Sequence, residues 1–564
     1  MSGESAATDF SVHLLRAFVD LGVRDVVVSP GSRSQALGLA AAAFDEVGLL
    51  RLKVRIDERV AGFLALGLAV ESRMPVLVVT TSGTAVANLH PAVLEAYHSG
   101  VPLILLTADR PSELRGIGSN QTTVQPGLFA DAVRVVLDVE TPEDPAVSPV
   151  RAVETAREAF AAAFGVHSGA GPVQVNLAFR EPLSAAVDGL ALAAQGASPA
   201  GPAPADSRTE DRGDALALAP EPNTVVIAGH AAGDRAEEFA RALGAPLLAE
   251  VSSGARFGPN LVVAYRALLA DPAFGGVVRR AVVFGHPTLS REVPALLTRA
   301  DVEVVVVRGP SPEDYDPGRR ARVVDEVRYD GLPADRSWAG RWVAASRKIV
   351  DAEAEAAAEA SGSAVVDAGP PALGREQLAV YRQRVTRRML VDAAWRATWP
   401  LDRLVFGASR LIREADRQVP GRRISVHSNR GLAGIDGTVS TATGIAVAAE
   451  ASGSLGTTRV VLGDLTLLHD AGGMLLPPGE SRPRLQVIVG NDGGGTIFDG
   501  LEVAQSAPPT AFDRVLYTPQ RIDLQALATA YGWAFRLASN RGALDEALAP
   551  VDGPTLIEVP LPRG

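Results

Sequence analysis

Short apolar runs alternate with helical patterns along three long parts of the chain. In residues 9–180, strand-like runs such as RDVVVS, PVLVVT and PLILLTA stand between segments whose apolar residues recur at helical spacing, beginning near residues 10, 34, 58 and 84. Strands that are apolar on both faces and alternate with helices form parallel sheets that helices cover on both sides. The pattern therefore predicts an α/β fold with a doubly wound parallel sheet in this part.

The same alternation returns twice, after two less regular segments. Its strand-like runs include TVVIAGH and RAVVFGHP in the middle of the chain, and RVVLGD and LQVIVGND in the last part. We therefore predict three doubly wound parallel-sheet domains, over residues 1–185, 223–350 and 385–564. The stretch 186–222, rich in Ala, Pro and Gly, is predicted to be a linker, and the Ala-rich acidic stretch 351–384 a connector.

Composition excludes several classes of chemistry. The chain has 564 residues, 47% of them apolar, so it can bury several large cores. It has no cysteine, which excludes disulfides, thiolate catalysis and thiolate metal sites. Its only lysines, Lys53 and Lys348, stand apart from any glycine loop, so neither a Walker lysine nor a Schiff-base lysine is expected.

Charge and hydropathy limit the partners and the compartment. The net charge of −11, with scattered arginines, argues against a nucleic-acid partner. No run reaches the ~18 apolar residues that a membrane span requires, and the first residues lack the basic and apolar regions of a secretory signal. We expect a cytoplasmic protein without a membrane span.

Two strand-like runs near the C-terminus end in acid or amide side chains and glycine. In the first, VVLGDLTLLHDAGG, Asp464 follows the strand, and in the second, LQVIVGNDGGGTIFDG, Asn491 does. Both would lie at the carboxyl ends of parallel strands, where open α/β sheets bind their ligands. Oxygen ligands without a nearby His or Cys favour Mg²⁺ bound to a phosphorylated cofactor over Zn²⁺.

Other predicted strand ends in the first part carry polar side chains with two possible interpretations. The turn with Ser32 and Arg33 predicts an anion site, or an ordinary strand-to-helix turn with a capping serine. Glu58 is either a first-turn acid that complements the helix dipole or a carboxylate that binds a ligand nitrogen. The small residues around Thr81 and Gly83 permit close approach of a ligand or close helix packing.

A long polar loop and three further side chains extend this set. Asn120 and Gln121 lie in a loop that is either a pocket lining or solvated. In the last part, Ser409 and Arg413 are four residues apart on one predicted helical face, and Arg430 follows a strand directly. Salt bridges explain each arginine separately, whereas arginines at several strand ends together indicate anion binding.

At the level of whole motifs the chain resembles a known family. The motifs are PGSRS, RIDERVAGFLALGLA, TSGTAVANLHPA, LTADRP with GSNQT, HSNRGLAGIDG, GDLTLLHD and VGNDGGGTIF. Over nearly its whole length the chain is similar to the 2-succinyl-5-enolpyruvyl-6-hydroxy-3-cyclohexene-1-carboxylate synthases (MenD enzymes) of the thiamine-diphosphate superfamily. Leu465 stands where general thiamine enzymes have glycine, as in this subgroup, and Asp492 stands where asparagine is frequent, so its role is left open.

The resemblance implies thiamine diphosphate as cofactor, with Mg²⁺ or Mn²⁺ held by Asp464, Asn491 and the Gly493 carbonyl. The first domain would bind the aminopyrimidine and the third the diphosphate, from opposite subunits of a homodimer or homotetramer. Glu58 would bond the pyrimidine nitrogen, and Ile435 would support the bent cofactor. The other cofactor-binding residues implied are Thr81, Gly83, Ser409, Arg430, Gly431, Gly434, Gly463, Leu465, Thr466, Ile497 and Phe498.

The implied reaction decarboxylates 2-oxoglutarate and adds the succinyl carbanion equivalent to isochorismate in a 1,4-addition, a step of menaquinone biosynthesis. Both substrates are dicarboxylates, which Arg33, Arg291, Arg413 and Arg430 would bind. The polar lining implied for the site is Ser32, Asn120, Gln121 and Ser409, with Ile497 and Phe498 as an apolar wall. The alternatives are another thiamine-dependent 2-oxo acid decarboxylase or carboligase, such as an acetolactate synthase, and a catalytically silent subunit that binds the cofactor.

Overall fold

Three parallel sheets in chain order organise the computed structural model of this protein. It describes residues 5–166, 169–187, 189, 215–219, 221–329, 331, 336–360 and 381–563. Most of the predicted linker 186–222 and of the connector 351–384 lies outside these residues.

The first sheet has six parallel strands in the order β2-β1-β3-β4-β6-β5. The strands are β1 Asp25–Val28, β2 Arg51–Val54, β3 Val76–Thr80, β4 Leu103–Asp109, β5 Val136–Glu140 and β6 Pro172–Ala178. The helices are α1 Ala6–Asp20, α2 Gln35–Glu46, α3 Glu58–Ser72, α4 Thr84–Asn88, α5 His90–Ser99 and α6 Ser148–Phe164. Val26 and Val28 point into one apolar core and Val27 into another, so the sheet is buried on both faces.

The second sheet has five parallel strands in the order β12-β11-β10-β8-β9, beside a two-stranded pair of β13 and β7. The strands are β7 Leu216–Ala217, β8 Thr224–Ala228, β9 Leu247–Ala249, β10 Arg280–Phe284, β11 Glu303–Val307, β12 Arg322–Val324 and β13 Val327–Arg328. The helices are α7 Asp234–Leu243, α8 Tyr265–Ala270, α9 Glu292–Leu297 and α10 Ser337–Ala360. Helix α10 runs across residue 350, where we predicted the middle domain to end.

The third sheet has six parallel strands in the order β15-β14-β16-β17-β19-β18. The strands are β14 Arg403–Phe406, β15 Ser425–His427, β16 Thr458–Gly463, β17 Leu485–Asn491, β18 Ala534–Leu537 and β19 Thr555–Pro560. The helices are α11 Arg387–Ala397, α12 Arg410–Gln418, α13 Thr438–Ala451, α14 Asp464–His469, α15 Val503–Ser506, α16 Pro509–Phe512, α17 Leu524–Ala530 and α18 Arg541–Ala547.

The α/β fold class with several parallel sheets is confirmed. The first and third sheets have the same strand order when each is numbered from its own first strand. Helix α3 of the first part packs against helix α13 of the third, so the two like-folded parts are in direct contact. The domain boundaries themselves stay a prediction. In the described parts of the chain no helix is long and apolar enough to cross a membrane.

Candidate active site

Asp464 and Asn491 lie side by side at the carboxyl edge of the third sheet. Strands β16 and β17 are paired in parallel with Gly463 opposite Gly490, so the next residue of each strand reaches the same edge. Asp464 is buried, and burial together with the nearby Asp492 raises the pKa of its carboxyl group to about 6. The structure thus brings the two predicted metal ligands together.

Neighbouring residues orient the oxygen atoms at this edge. The Asn491 Nδ2 donates to Glu558 Oε1 at 2.7 Å, and Asn491 Oδ1 accepts from the Gly493 backbone N–H at 3.3 Å. The Gly493 carbonyl accepts from Arg563 Nη2 at 2.9 Å, which leaves its second lone pair available. Gly463 precedes Asp464, and Leu465 and Thr466 continue from it into α14.

These oxygen atoms fit a hard divalent cation. No arginine or lysine in the described part of the chain forms an ion pair with the buried Asp464 carboxylate, so its charge is available to a bound ion. Among the described residues there is no group of three His, Cys, Asp or Glu side chains that could hold a metal ion by themselves. A cation here therefore needs the Asn491 amide, the Gly493 carbonyl and oxygen atoms of a ligand as well, which is the coordination that Mg²⁺ prefers.

Asp492, whose role the sequence left open, is part of an ion pair. Its Oδ2 accepts from Arg387 Nε at 3.1 Å and Nη2 at 2.8 Å, and from Thr496 Oγ1 at 2.6 Å. These bonds hold the glycine-rich turn that carries Gly493. Asp492 is thus a structural residue of the turn, and Ile497 and Phe498, both half-buried, follow in a 3₁₀ segment from Thr496 to Gly500.

Ser409 and Arg413 lie at the carboxyl end of β14, at the same sheet edge. Ser409 is the residue before α12, and Arg413 Nη1 donates to its carbonyl oxygen at 2.9 Å. Burial and the neighbouring Arg266 lower the pKa of the Arg413 guanidinium. Ser409 thus lies just before the helix rather than within it, and the Arg413 guanidinium contacts its backbone carbonyl.

Arg430 follows β15 and is only 2% exposed. It contacts the second sheet, because its Nε donates to Thr288 Oγ1 at 2.9 Å and its Nη2 to the Thr288 carbonyl at 3.2 Å. Its Nη1 is buried and has no hydrogen-bond partner among the described residues. Arg291 is exposed and lies three residues after Thr288, at the start of α9.

The turn after Arg430 contacts helix α5 of the first part of the chain. Gly431 N and Leu432 N donate to the two carboxylate oxygens of the buried Glu95 at 2.7 and 2.8 Å. Gly434 and Ile435 continue the turn, and the Ile435 side chain is 36% exposed. Sequence reasoning missed Glu95, since a single acid in an amphipathic helix reads as a solvated residue.

In the first part of the chain, the turn with Ser32 and Arg33 lies against Thr81. A methyl group on Gly31 would come within 2.2 Å of the Thr81 side chain, so only glycine permits this approach. Arg33 N donates to Thr81 Oγ1 at 3.3 Å, and Arg33 Nη1 donates to the Phe179 carbonyl at 3.0 Å.

Ser34 occupies the N-cap position of α2, but the side-chain capping bond that the alternative interpretation predicts is absent. The Ser34 hydroxyl donates to the Gly31 carbonyl and makes no side-chain cap of α2. Burial and the charge of Arg110 lower the pKa of the Arg33 guanidinium. The turn therefore gathers positive charge at the end of β1.

The loop with Asn120 and Gln121 is fixed at the end of β3. Gln121 has a positive φ of 55° and donates from Nε2 to the Ser82 carbonyl at 3.0 Å. Arg110 Nη1 donates to the Gln121 carbonyl at 2.7 Å and to the Ser82 hydroxyl. Gly83 N donates to Gln125 Oε1 at 2.8 Å. The loop is thus attached to the turn of small residues, while Asn120 and Gln121 themselves stay exposed.

Glu58 is the first residue of α3. Asp57 caps this helix through the Arg59 and Val60 N–H groups, so Glu58 is not needed for capping. Its Oε2 accepts from Asn88 Nδ2 at 3.4 Å, and the side chain is half-buried. The Glu58 carboxylate therefore lies next to Asn88, the last residue of α4, with a single long hydrogen bond among the described residues.

Most of the predicted site residues fall into two groups according to the sheet that carries them. The first group, at the edge of the first sheet, consists of Ser32, Arg33, Glu58, Thr81, Gly83, Asn120 and Gln121. The second group consists of Arg291, Ser409, Arg413, Arg430, Asp464, Asn491, Gly493, Ile497 and Phe498. Among the described residues no hydrogen bond or ion pair joins the two groups.

Comparison with known proteins identifies the family of this chain. The family model described as "Thiamine pyrophosphate enzyme, N-terminal TPP binding domain" matches residues 8–132. A 2-succinyl-5-enolpyruvyl-6-hydroxy-3-cyclohexene-1-carboxylate synthase of Leifsonia xyli subsp. xyli is 58% identical over 576 residues, covering 99% of this chain and 97% of the relative. The chain belongs to this synthase family. A second synthase, from Arthrobacter sp., is 44% identical and covers 97% of this chain and 88% of the relative.

A solved structure of a different enzyme has the same fold as this synthase-family chain. Benzoylformate decarboxylase from Polynucleobacter necessarius superposes with a TM-score of 0.62, covering 100% of this chain and 99% of its own at 16% sequence identity. The likeness at this identity concerns the fold alone. The family model that matches residues 8–132 names thiamine diphosphate as the ligand of its domain.

Proposed function

We propose that this chain is a synthase that decarboxylates 2-oxoglutarate and adds the succinyl unit to isochorismate, giving 2-succinyl-5-enolpyruvyl-6-hydroxy-3-cyclohexene-1-carboxylate and CO₂. The observation that carries this proposal is the 58% identity to a named synthase over 99% of the chain. Basic side chains at the strand ends support it independently, because both substrates are dicarboxylates.

The proposal assigns the cofactor and the metal to named residues. Asp464, Asn491 and the Gly493 carbonyl would hold Mg²⁺ or Mn²⁺ together with the diphosphate, and Glu58 would share a proton with a nitrogen of the pyrimidine ring. Thiamine diphosphate, when bound, would supply a carbon nucleophile for the 2-oxo group and an acceptor for the electron pair left by decarboxylation. Ile435 supports the cofactor from the turn before α13.

The substrate carboxylates are assigned to arginines. Arg413 and Arg430 belong to the second group of site residues, and Arg430 Nη1 is a buried donor without a partner among the described residues, which a carboxylate oxygen would satisfy. Arg33 belongs to the first group, and Arg291 is exposed beside the Thr288 loop. A guanidinium binds a carboxylate through two parallel hydrogen bonds, which orients the substrate as well as attracting it.

Complete sites are proposed to form between two copies of the chain, in a homodimer or a homotetramer. No hydrogen bond or ion pair among the described residues joins the two groups of site residues, and several large apolar side chains near the first group in the sequence are exposed. Ile56 is 75% exposed, Ile117 69% and Val124 80%. Exposed apolar side chains around a polar site are typical of a subunit interface.

The two alternatives are less well supported. An acetolactate-synthase-like enzyme acts on a monocarboxylate and gives no reason for arginines at several strand ends. A silent subunit gives no reason for Glu58, Asp464 and Asn491 to be present together.

The direct test follows isochorismate absorbance with purified protein, thiamine diphosphate and Mg²⁺, adding 2-oxoglutarate last. We expect the absorbance to fall only after 2-oxoglutarate is added, with one CO₂ released for each isochorismate consumed. Pyruvate in place of 2-oxoglutarate serves as the control and should give no loss. Loss with pyruvate would favour the carboligase alternative, and cofactor binding without loss from either acid would favour the silent subunit.

A further inference from the structure

A buried carboxyl group that the proposed function does not use lies between the second and third sheets. Glu250 follows β9 and is 1% exposed. Its Oε1 accepts from the backbone N–H groups of Thr288 and Leu289, both at 2.7 Å. Its Oε2 is buried without a hydrogen-bond partner among the described residues. A buried carboxyl oxygen without a partner is unusual and indicates either a proton on the group or an absent ligand.

The loop that Glu250 holds is the one that contacts Arg430. Thr288 accepts the Arg430 guanidinium through both its hydroxyl and its carbonyl oxygen. Arg291 lies three residues further along the same loop. Glu250 thus fixes the loop through two backbone N–H groups, and the loop in turn orients Arg430 and carries Arg291.

Several titratable or charged groups face Glu250 from the elements around it. They are Asp416 and Arg413 on α12, Tyr265 on α8, Arg430 after β15, and Arg256 and Tyr315 in loops of the middle part. Asp416 has charged and polar partners of its own: Tyr265 Oη donates to it at 2.6 Å, Val251 N at 2.8 Å, and Arg256 lies 3.7 Å away. Burial raises the pKa of Asp416, but these partners favour its charged form. Glu250, whose Oε2 has no partner among the described residues, is therefore the member of the pair to which we assign the proton.

We propose that Glu250 is a positioning residue for the substrate-binding arginines: it holds in place the Thr288 loop, which contacts Arg430 and carries Arg291, and its carboxyl group takes up a proton from solvent when a substrate carboxylate binds. The inference rests on the proposed function for the identity of that substrate. The geometry that carries it is the pair of bonds to the Thr288 loop together with two unpartnered buried atoms, Glu250 Oε2 and Arg430 Nη1.

The direction of the proton uptake follows from charge. An ionised Glu250 neutralises part of the positive field of Arg413 and Arg430 and so weakens the binding of a dicarboxylate. A bound dicarboxylate in turn disfavours a second negative charge nearby, so the Glu250 carboxyl group binds its proton more tightly in the complex. Burial and Asp416 already raise the pKa of Glu250 to about 8, which places the effect in an accessible range.

Two substitutions distinguish the role of Glu250 in holding the Thr288 loop from the role of its charge. Glu250→Gln keeps an oxygen acceptor for the two N–H groups but cannot ionise, whereas Glu250→Ala removes both functions. In the wild-type holoenzyme we expect the KM for 2-oxoglutarate to rise severalfold between about pH 7 and about pH 9. Glu250→Gln should abolish this rise, and Glu250→Ala should raise the KM about tenfold at every pH because Arg430 loses its support.

A binding measurement without turnover makes the test independent of the reaction. Glutarate, which lacks the 2-oxo group, is titrated calorimetrically into the holoenzyme with thiamine diphosphate and Mg²⁺ in two buffers of different ionisation enthalpy. Near pH 8 the wild type should take up a fraction of a proton per glutarate bound, and Glu250→Gln should take up none.

Failure of this inference and failure of the proposed function give different results. A wild type that consumes isochorismate, but whose KM profile and proton uptake are the same in Glu250→Gln, overturns the role of Glu250. A wild type without turnover, whose proton uptake on binding glutarate disappears in Glu250→Gln, supports the role of Glu250 and overturns the proposed reaction. Absence of glutarate binding to the wild type contradicts the inference as well.

Discussion

Gly67 of α3 and Gly444 of α13 face each other where the two helices cross. A methyl group on Gly67 would lie 1.9 Å from the Thr441 carbonyl oxygen, and one on Gly444 would lie 2.2 Å from the Leu64 carbonyl oxygen and 3.0 Å from Gly67 C. The backbones of the two helices are therefore in direct contact. Because α3 begins at Glu58 and α13 follows the Ile435 turn, this crossing fixes the first part of the chain against the third.

Gly444→Ala is expected to destabilise the protein, because backbone atoms cannot move aside for the new methyl group as a flexible side chain can. Overpacking of this kind costs about 1–3 kcal/mol or more, and thermal unfolding followed by scanning fluorimetry should show a lower midpoint. The matched control is Gly38→Ala in the interior of α2, where the nearest atom to an added methyl group is 3.8 Å away. That control should be neutral or stabilising, since alanine favours a helix over glycine. Equal effects of the two variants would contradict the contact.

Mixing two inactive chains tests whether sites form between subunits. Glu58→Gln removes the carboxylate proposed to bind the pyrimidine, and Asp464→Ala removes a proposed metal ligand, so each variant alone should lose at least about 99% of turnover. Dimers that exchange subunits freely should recover about a quarter of the wild-type activity, because half of them are mixed and each mixed dimer has one intact site.

The control for this experiment mixes Glu58→Gln with itself after the same exchange procedure, and it should stay inactive. A site built from one chain would also recover nothing when the two variants are mixed. Asp57→Asn offers a further control beside Glu58, since asparagine also caps a helix and the variant should keep its turnover.

Arg413 and Arg417 lie one turn apart on α12 in different environments. Arg413 is half-buried beside Ser409, whereas the Arg417 side chain is 59% exposed and pairs with Glu353. Arg413→Ala is expected to raise the KM for 2-oxoglutarate at least about tenfold through loss of a charge-assisted hydrogen bond. Arg417→Ala should leave the KM unchanged, and steady-state kinetics on both variants provide the comparison. A similar KM in both variants would show that Arg413 does not bind the substrate.

The sequence predicted the fold and the edges of the sheets because a parallel sheet has a simple signature. Buried strands read as apolar runs, and the residue after each run falls at one edge, so Asp464 and Asn491 were found without knowledge of any contact. Strands β5 and β18 were not predicted from the sequence. Both are partly exposed and alternate in polarity, so neither forms an apolar run.

Contacts between distant parts of the chain escaped prediction for a physical reason. Glu250 and Thr288 are 38 residues apart, and nothing in the local sequence of either residue indicates the other. The hydrogen-bond network of buried polar side chains near the Asn120 loop, by contrast, is indicated by the sequence. Gln174 and Asn176 interrupt the otherwise apolar strand β6 at alternate positions, and both are fully buried. Such a pair on one face of a central strand must find internal partners, which here include Gln125.

The pH dependence of protein stability tests the raised pKa of Glu250 independently of substrate binding. Because the pKa of this carboxyl group is raised to about 8 in the folded protein, from 4.5 as its ordinary value, the folded state binds more protons than the unfolded state between these two values. The stability of the wild type therefore falls as pH rises from about 4.5 to about 8, relative to a variant that cannot ionise at this position. Thermal midpoints of wild type and Glu250→Gln, measured across this range, should diverge in favour of the variant as pH increases. Glu238→Gln, at an exposed position of α7, is the control and should stay parallel to the wild type. A constant difference between wild type and Glu250→Gln would mean that Glu250 is ionised throughout this range in the folded protein.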